Sequence, residues 1–309
     1  MSRRALVLFV ALGVMWGSSY TLIKVAVAHL SALDLVTYRV FAAAIVTSAL
    51  ALRSERRRFI TSLRPRVLVV LILSSLVSFV APYLLITWGE TSVAASLAGM
   101  LNTLTPIFTA LLSPLFFRGR ALGRSTWVGI VVGLTGAVLV FHPWYGVGHT
   151  GATATVGIIV AAASYGLGII VQKRYLLQLG LTSLQLIAVQ LVVASILCLG
   201  LDPGVIGRSA HVPLDAFLIA CVLGIFNTGL TALLMLKLVA TASATLSSSV
   251  TYLIAIISVF EGAVVLGEPL GLTFVAGSIV IVLGVVIVGL GPAMHAYVRR
   301  AKAALLGAS

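Results

Sequence analysis

Three ionisable side chains lie inside apolar stretches that are long enough to cross a membrane: Lys24, Arg39 and Glu261. A charged group at membrane depth is costly, so each of these residues is a functional candidate by default. All three lie within one to two helical turns of the same predicted membrane boundary, roughly 6–9 Å below it at about 1.5 Å per residue. We hypothesise that Glu261 pairs with Lys24 or Arg39 in an outer gate or in a polar wall of a pathway. The alternative is that the two cations extend to the interface.

Glu261 is the one carboxylate that the sequence places within a predicted span; five of the other six acids, Glu90 and Glu268 among them, are expected at the outer side. If the pathway is coupled to protons, Glu261 is the candidate carrier, because burial favours the neutral form of a carboxyl group. A facilitator needs no titrating group, so proton coupling stays open at this point.

Aromatic and amide residues near the middle of the spans form a second group of candidates. Trp16 and Tyr20 are four residues apart and share one face of a helix. A mostly apolar pocket with a few placed polar groups suits an amphipathic or aromatic ligand. Further candidates for the pathway are Tyr83, Asn102, Tyr165, Asn227 and Tyr252, and candidates for hinges are Pro82, Pro106 and Pro114. The asparagines could instead link helices by hydrogen bonds, and the prolines could merely kink them.

The elements that must position these side chains are membrane helices. Apolar residues make up 61% of the chain and charged residues only 9%, and apolar runs of 18 or more residues are long enough to cross the bilayer as helices. We predict an all-α integral membrane protein with ten transmembrane helices, at 5–28, 33–52, 66–87, 93–115, 125–141, 154–172, 183–201, 214–236, 242–266 and 272–290.

The basic residues indicate how these helices cross the membrane. Seventeen of the 20 Lys and Arg residues fall on one side of the predicted topology, which places that side and both termini in the cytoplasm. The positive charge is therefore expected to face anionic lipid and cytosol, and a nucleic acid partner is not expected. The sequence carries no metal-binding spacing, no cofactor motif and no catalytic motif, and its two cysteines lie inside spans. We therefore expect neither an enzyme nor a cofactor or metal site.

The chain also repeats itself at about half its length. At an offset of 148 residues Gly129 matches Gly277 and Gly136 matches Gly284, and at 149 residues Trp16-Gly17 matches Tyr165-Gly166 and Lys24 matches Lys173. A half with five crossings must lie inverted relative to the other half, an architecture common among secondary transporters. We predict two inverted five-helix repeats, 1–148 and 149–309. Helices five and ten, with their glycines, are expected to form a scaffold or dimer contact, and helices one, three, four, six, eight and nine are expected to surround the pathway.

These residues resemble the drug/metabolite transporter superfamily, in its ten-helix EamA-type branch. The motif of the first helix is Trp16-Gly17-Ser18-Ser19-Tyr20, followed by Lys24 and then by Arg39 in helix two. The second half carries Leu266-Gly267-Glu268-Pro269-Leu270 before its glycine-rich last helix. Two positions depart from the pattern: Arg120 stands where a glutamate is frequent, and Ile254 stands where a proline is frequent.

The resemblance implies a secondary transporter, or exporter, of small organic solutes in the cell (inner) membrane, working by alternating access as a monomer or homodimer. Amino acids or related metabolites are the first expectation for the substrate, with proton coupling open. The alternative within transport is an organic-anion or phosphate-ester exchanger in which Lys24 and Arg39 clamp the anion. An intramembrane lipid-handling enzyme is the alternative of another class, although the charged layer lacks a nucleophile.

Overall fold

The computed structural model describes residues 3–61, 65–117, 122–141, 149–241 and 250–288, and within these ranges all regular structure is helical. Seven helices are long and apolar enough to cross a membrane: Leu6–Ala26, Ala32–Arg53, Val67–Glu90, Ala95–Phe116, Gly151–Gln178, Ser183–Leu201 and Leu214–Ala240. Three shorter apolar helices, Arg124–Val140, Val250–Val264 and Leu272–Val288, fall where the other predicted spans lie. The all-α membrane class is thereby confirmed, whereas ten crossings and the placement of the termini stay predictions.

Some of these spans consist of more than one helical segment. In chain order the helices are α1 Arg3–Ala26, α2 Ala32–Thr61, α3 Pro65–Ser75, α4 Ala81–Glu90, α5 Ala95–Asn102, α6 Thr105–Phe116, α7 Arg124–Phe141, α8 His149–Arg174, α9 Ser183–Leu201, α10 Val205–Arg208, α11 Leu214–Gly224, α12 Thr231–Thr241, α13 Val250–Val264 and α14 Leu272–Val288. Arg120 and the basic tail after residue 288 lie outside the described residues.

Two spans contain a π-helical segment at their middle. Leu76–Val80 joins α3 to α4, and Ile225–Leu230 joins α11 to α12. The two segments begin 149 residues apart in the sequence. Pro82 is the second residue of α4, directly after the first segment. Such insertions in α-helices are frequent at functional sites, which directs attention to the side chains on either side of them.

The predicted fourth span is interrupted near its centre, between α5 and α6. Pro106 is the second residue of α6 and has no N–H group with which to bond the carbonyl of Asn102, where α5 ends. The Thr105 hydroxyl donates to that carbonyl instead, at 2.7 Å. Pro114 lies inside α6. Proline chemistry therefore explains the break at Pro106, and whether any of the three prolines acts as a hinge stays a prediction.

Helices α7 and α14 pack against each other through glycines. A Cβ atom built on Gly129 would lie 2.6 Å from the carbonyl oxygen of Gly284, and one on Gly136 would lie 2.8 Å from that of Gly277. The contacts run in opposite order along the two helices, which are therefore antiparallel. Only glycine permits backbones to approach this closely. This contact within one chain gives the predicted scaffold role a structural basis.

Other helices that the sequence repeat relates also run in opposite directions where they meet. Asp34, at the start of α2, forms an ion pair of 2.6 Å with Arg208, which follows α9. Glu268, which follows α13, accepts hydrogen bonds from the N–H groups of Ala95 and Ser96 at the start of α5, at 2.7 and 2.9 Å. We call the end of the molecule that carries Lys24, Asp34, Glu90 and Glu268 the outer end.

The surface of the helices is strongly apolar. Large side chains such as Val131 (61% exposed), Ile196 (63%) and Phe260 (61%) project outwards. A folded protein in water rarely exposes so much apolar area, whereas a protein in a bilayer exposes it to lipid tails. This surface fits a protein that the bilayer surrounds.

Candidate functional site

A cavity between the helices gathers most of the residues that the sequence singled out. The space between its atoms is about 850 Å³, including the part that is open to solvent. It is lined by Trp16, Ser19, Tyr20, Ile23, Arg39, Ser78, Phe79, Tyr83, Ile86, Asn102, Thr105, Tyr165, Ile169, Gln172, Ala232, Met235, Val250, Thr251 and Ile254. None of these residues comes from α7, α9 or α14, and all lie in the spans predicted to surround the pathway except Arg39, which lies in α2.

Fourteen of the nineteen lining residues form pairs that are 149 residues apart in the sequence. We call the members of the first half the first wall: Trp16, Tyr20, Ile23, Tyr83, Ile86, Asn102 and Thr105. Their counterparts form the second wall: Tyr165, Ile169, Gln172, Ala232, Met235, Thr251 and Ile254. Equivalent positions of the two halves thus face the same cavity.

Glycines set how α1 and α8 present their faces to this cavity. A Cβ on Gly17 would lie 2.5 Å from Cβ of Ile257, and one on Gly166 would lie 2.9 Å from the backbone nitrogen of Thr109. The close approach on one side of each helix turns the adjacent Trp16 and Tyr165 towards the cavity. The two glycines are 149 residues apart, and so their contacts correspond to each other in the two halves.

Arg39 brings a charged group to this mostly apolar cavity. Its side chain is only 3% exposed. Nε donates to the hydroxyl of Thr228 at 2.6 Å, and Nη2 donates to the carbonyl of Asn227 at 3.3 Å. The guanidinium carbon lies 4.0 Å from the centre of the Tyr83 ring, a cation–π arrangement. No carboxylate in the described part of the chain forms an ion pair with Arg39.

The aromatic rings hold one another in place around this guanidinium. Tyr83 meets Phe79 and Tyr165 edge to face, with ring centres 5.8 and 6.3 Å apart. Such contacts are worth about 0.5–1.5 kcal/mol each beyond the area they bury. The π-helical segment Leu76–Val80 supplies Phe79, and α4 supplies Tyr83 one turn later. The rings therefore form a stiff apolar platform beside a single positive charge.

Asn227 lies next to the cavity rather than on it. Its side-chain amide donates to the carbonyl of Met15, and its own carbonyl accepts from Trp16 Nε1 at 3.1 Å and from Arg39. Asn227 lies in the second π-helical segment. It therefore positions two lining residues, which is the helix-linking role that the sequence left open as an alternative.

The hypothesised pairing of Glu261 with Lys24 or Arg39 is not formed in this structure. Glu261 accepts a hydrogen bond of 2.6 Å from the Ser18 hydroxyl. Lys24 Nζ donates to the backbone carbonyls of Glu90 and Val93, at 2.7 and 2.8 Å. Tyr252 is half-buried against the apolar core. Six of the ten predicted pathway residues thus meet at the cavity, and Lys24, Asn227, Tyr252 and Glu261 do not.

The sequence reasoning missed mainly small and apolar lining residues. Examples are Ser19, Ile23, Ser78, Phe79, Ile86, Thr105, Ile169, Ala232, Met235 and Val250. Their residue types carry no chemical signal. The repeat would have found part of them, because Ile169 and Ala232 lie 149 residues after Tyr20 and Tyr83. Within the described ranges no group of three His, Cys, Asp or Glu side chains could hold a metal ion.

Comparisons with known proteins agree with this architecture. The sequence pattern of the EamA-like transporter family matches residues 3–142 and again residues 152–290. An uncharacterized transporter of Archaeoglobus fulgidus is 28% identical over 273 residues, covering 88% of this chain and 94% of its own. The uncharacterized inner membrane transporter YedA of Escherichia coli K12 is 26% identical over 295 residues, covering 91% and 89%. One solved crystal structure shares the fold with a TM-score of 0.66 at 15% identity, covering 94% of this chain and 97% of that one.

Proposed function

The chain belongs to the EamA-like transporter family, and from that premise we propose that it moves small organic solutes with a carboxylate group, in the first place amino acids, by alternating access. It is a multi-pass transporter of the cell membrane. Family membership alone does not determine the class of solute, the residue that selects it or the way in which the two halves move it across the membrane.

The observation that carries the proposal is the guanidinium of Arg39, which lies in an aromatic cavity and forms no ion pair with any carboxylate in the described ranges. A buried cation without a carboxylate partner is expensive to keep. A carboxylate on the solute would supply the missing negative charge, and Arg binds carboxylates through two parallel hydrogen bonds. The rings of Tyr83 and Trp16 would meet the apolar part of the solute. An amino acid or a related metabolite offers both features.

Alternating access is supported by the paired walls of the cavity. In an inverted repeat, the two halves can exchange conformations around a fixed central site. The antiparallel contact of α7 with α14 and the matching positions of the two π-helical segments support the division into 1–148 and 149–309 as inverted repeats. Export is the direction that the resemblance suggests, and monomer or homodimer are the states that we expect.

The alternatives fit the site less well. A phosphate-ester exchanger was expected to clamp its anion between Lys24 and Arg39, yet only Arg39 reaches the cavity, while Lys24 is bound to two carbonyls. One cation suits a monocarboxylate better than a doubly charged phosphate ester. A lipid-handling enzyme would need a nucleophile beside Arg39, and membership of a transporter family argues against catalysis.

Counterflow in proteoliposomes tests the proposal. Vesicles with purified protein would be loaded with a neutral amino acid and exposed to radiolabelled amino acid, to the corresponding carboxylic acid without the amino group, to the corresponding amine and to a phosphate ester. We expect uptake of the first two and not of the amine. Arg39→Gln should reduce amino acid uptake by about tenfold or more, since a charged hydrogen bond is worth about 1.5–3 kcal/mol.

Arg53→Gln is the matched control, because Arg53 lies on the same helix, exposed and away from the cavity. It should leave uptake unchanged. Undiminished amino acid uptake by folded Arg39→Gln, or preferential uptake of the amine, would contradict the assignment. Strong uptake of the phosphate ester would favour the exchanger instead.

A further inference from the structure

Glu90 is the most deeply buried acid of the outer end, contrary to its expected place in an outer loop. It is the last residue of α4 and of the span Val67–Glu90, and its exposure is 0%. Neither carboxyl oxygen has a hydrogen-bond partner among the residues that the structure describes. Glu261, which the sequence placed as the only acid within a span, is by contrast partly exposed and accepts a hydrogen bond from Ser18. Glu90 is therefore the more deeply buried of the two acids.

The nearby charges are already bound to other groups. Lys24 donates to the backbone carbonyl of Glu90 itself and to that of Val93. Glu268 is held by the N–H groups at the start of α5. Arg39 binds Thr228 and the carbonyl of Asn227. Their charges act on Glu90 from a distance, without an ion pair among the described residues.

The other neighbours of Glu90 offer no compensation. Tyr20, on the face of α1 that lies towards the cavity, interacts electrostatically with it, and the Tyr20 hydroxyl is engaged with Asn102. On the side of α8, a Cβ on the adjacent Gly89 would lie 2.7 Å from Ile158, an apolar residue. A carboxylate in such a place would lose its hydration without gaining a donor, whereas a neutral carboxylic acid would lose far less.

We propose that the carboxyl group of Glu90 is a proton-binding site that links protonation to closure of the outer end. With its proton, Glu90 can stay buried while Lys24 binds the carbonyls of Glu90 and Val93 and holds the end of α1 against the α4–α5 turn. Loss of the proton creates an anion that needs water, so the outer end opens. Because the closed state holds one proton more, acid favours the closed form and alkali favours the open form.

The second half contains the same lysine contact without the acid. Lys173, 149 residues after Lys24, donates to the carbonyl of Val239 at 3.1 Å, and Val239 is the counterpart of Glu90. Valine cannot titrate. Among the described residues, proton binding of this kind thus belongs to the outer end, where the proton would come from the outer solution. The role of this site in transport rests on the proposed function, but proton binding at Glu90 can be measured without any solute.

The test follows the width of the outer end as the pH changes. Spin labels would be placed at His29→Cys and Thr91→Cys, both exposed at this end, in a chain with Cys198→Ser and Cys221→Ser. Pulsed electron paramagnetic resonance in nanodiscs would give the distance between the labels from about pH 5 to about pH 9. We expect the ratio of open to closed molecules to rise with pH, by up to about tenfold per pH unit for one linked proton. The substitution of His29 also removes one histidine of this end; His211, which lies close after Arg208, is present in every variant, so the comparison with Glu90→Gln separates its titration from that of Glu90.

Glu90→Gln keeps the shape of a protonated carboxyl group and should stay closed over the whole range. Glu261→Gln is the matched control and should follow the parent. A pH response that persists in Glu90→Gln, or is absent from the parent, would overturn the proposal. If the response is present but no solute is transported, the proposed function fails while the proton site stands. If Glu90→Gln does not fold, two measurements on the parent decide instead: the dependence of the label distance on pH, and a difference infrared spectrum that detects a buried protonated carboxyl group.

Discussion

Seven residues of the first wall have counterparts in the second wall, yet the two walls offer different groups to a solute. Tyr20 corresponds to Ile169, Tyr83 to Ala232, and Asn102 to Thr251. Arg39 has Ala188 as its counterpart. The backbone positions are therefore repeated, while the charge and most of the hydrogen-bonding capacity belong to the first half. A symmetric frame can rock around its centre, and an asymmetric lining can still hold the solute in one orientation.

The glycine contact between α7 and α14, which we call the seam, is where substitutions should have the largest effect, because both halves need glycine there. Gly284→Leu and its counterpart Gly136→Leu should each prevent folding, because each added side chain would meet backbone atoms of the opposite helix. Gly200→Leu is the control, since a Cβ at Gly200 meets nothing within 4 Å. The yield of monodisperse protein in detergent measures the outcome. A normal yield of either seam variant would show that the backbones do not meet there.

Truncation of Tyr83 tests whether the first wall dominates binding. Tyr83→Ala removes the ring beneath the Arg39 guanidinium, and a cation–π contact is worth about 0.5–2 kcal/mol. The KM of amino acid counterflow should therefore rise about 2- to 30-fold. Met235→Ala, a truncation on the second wall, should raise it less. Equal effects of the two variants would mean that both walls contribute alike.

Glu268 tests how one half stabilises the other. This residue of the second half caps α5 of the first, and its carboxylate interacts favourably with the positive end of the helix dipole. Glu268→Gln should lower the free energy of unfolding by about 0.5–2 kcal/mol, seen as a lower thermal midpoint in detergent. Asp215→Asn changes an exposed acid in the first turn of α11 that accepts one hydrogen bond, from the N–H of Ala216, and none from the first half among the described residues; it should shift the midpoint less. A midpoint equal to that of the parent would show that the cap does not matter.

The smallest effect is expected at the exposed ion pair of Asp202 with Arg208, both in the second half, where Arg208 also pairs with Asp34 of the first half. The hydrogen bond from Arg208 is the main cause that lowers the pKa of Asp202, and the N–H of Gly204 contributes. A group whose pKa is lowered by folding stabilises the protein above its unfolded pKa, and this contribution disappears as the pH falls through the lowered value. Asp202→Asn should therefore lower the thermal midpoint slightly at neutral pH and not in strong acid. Because the group is exposed, high salt should weaken the difference, and an unchanged difference in high salt would contradict this account.

The sequence alone could predict the helical membrane class, the transporter family and much of the cavity. Hydrophobic length identifies spans without knowledge of packing, and spacing of four residues placed Trp16 and Tyr20 together. The partners of the charged residues could not be predicted in the same way. Lys24 binds backbone carbonyls, and no sequence pattern reveals which carbonyls a helix end leaves free. The burial of Glu90 could not be predicted, because it depends on α1 and α8, which are distant in the sequence.

The two π-helical segments have a mechanical consequence. Each segment adds a residue to an otherwise regular α-helix and so forms a local defect in its hydrogen-bond pattern, comparable to a dislocation in a crystal lattice. When such a defect moves along a helix, hydrogen bonds change partners one at a time, and each residue passed turns by about 100°. Tyr83 and Ile86 follow the defect of Leu76–Val80, and Ala232 and Met235 follow that of Ile225–Leu230. Movement of either defect would rotate the two lining residues that follow it in steps of a single residue, with little loss of backbone bonding.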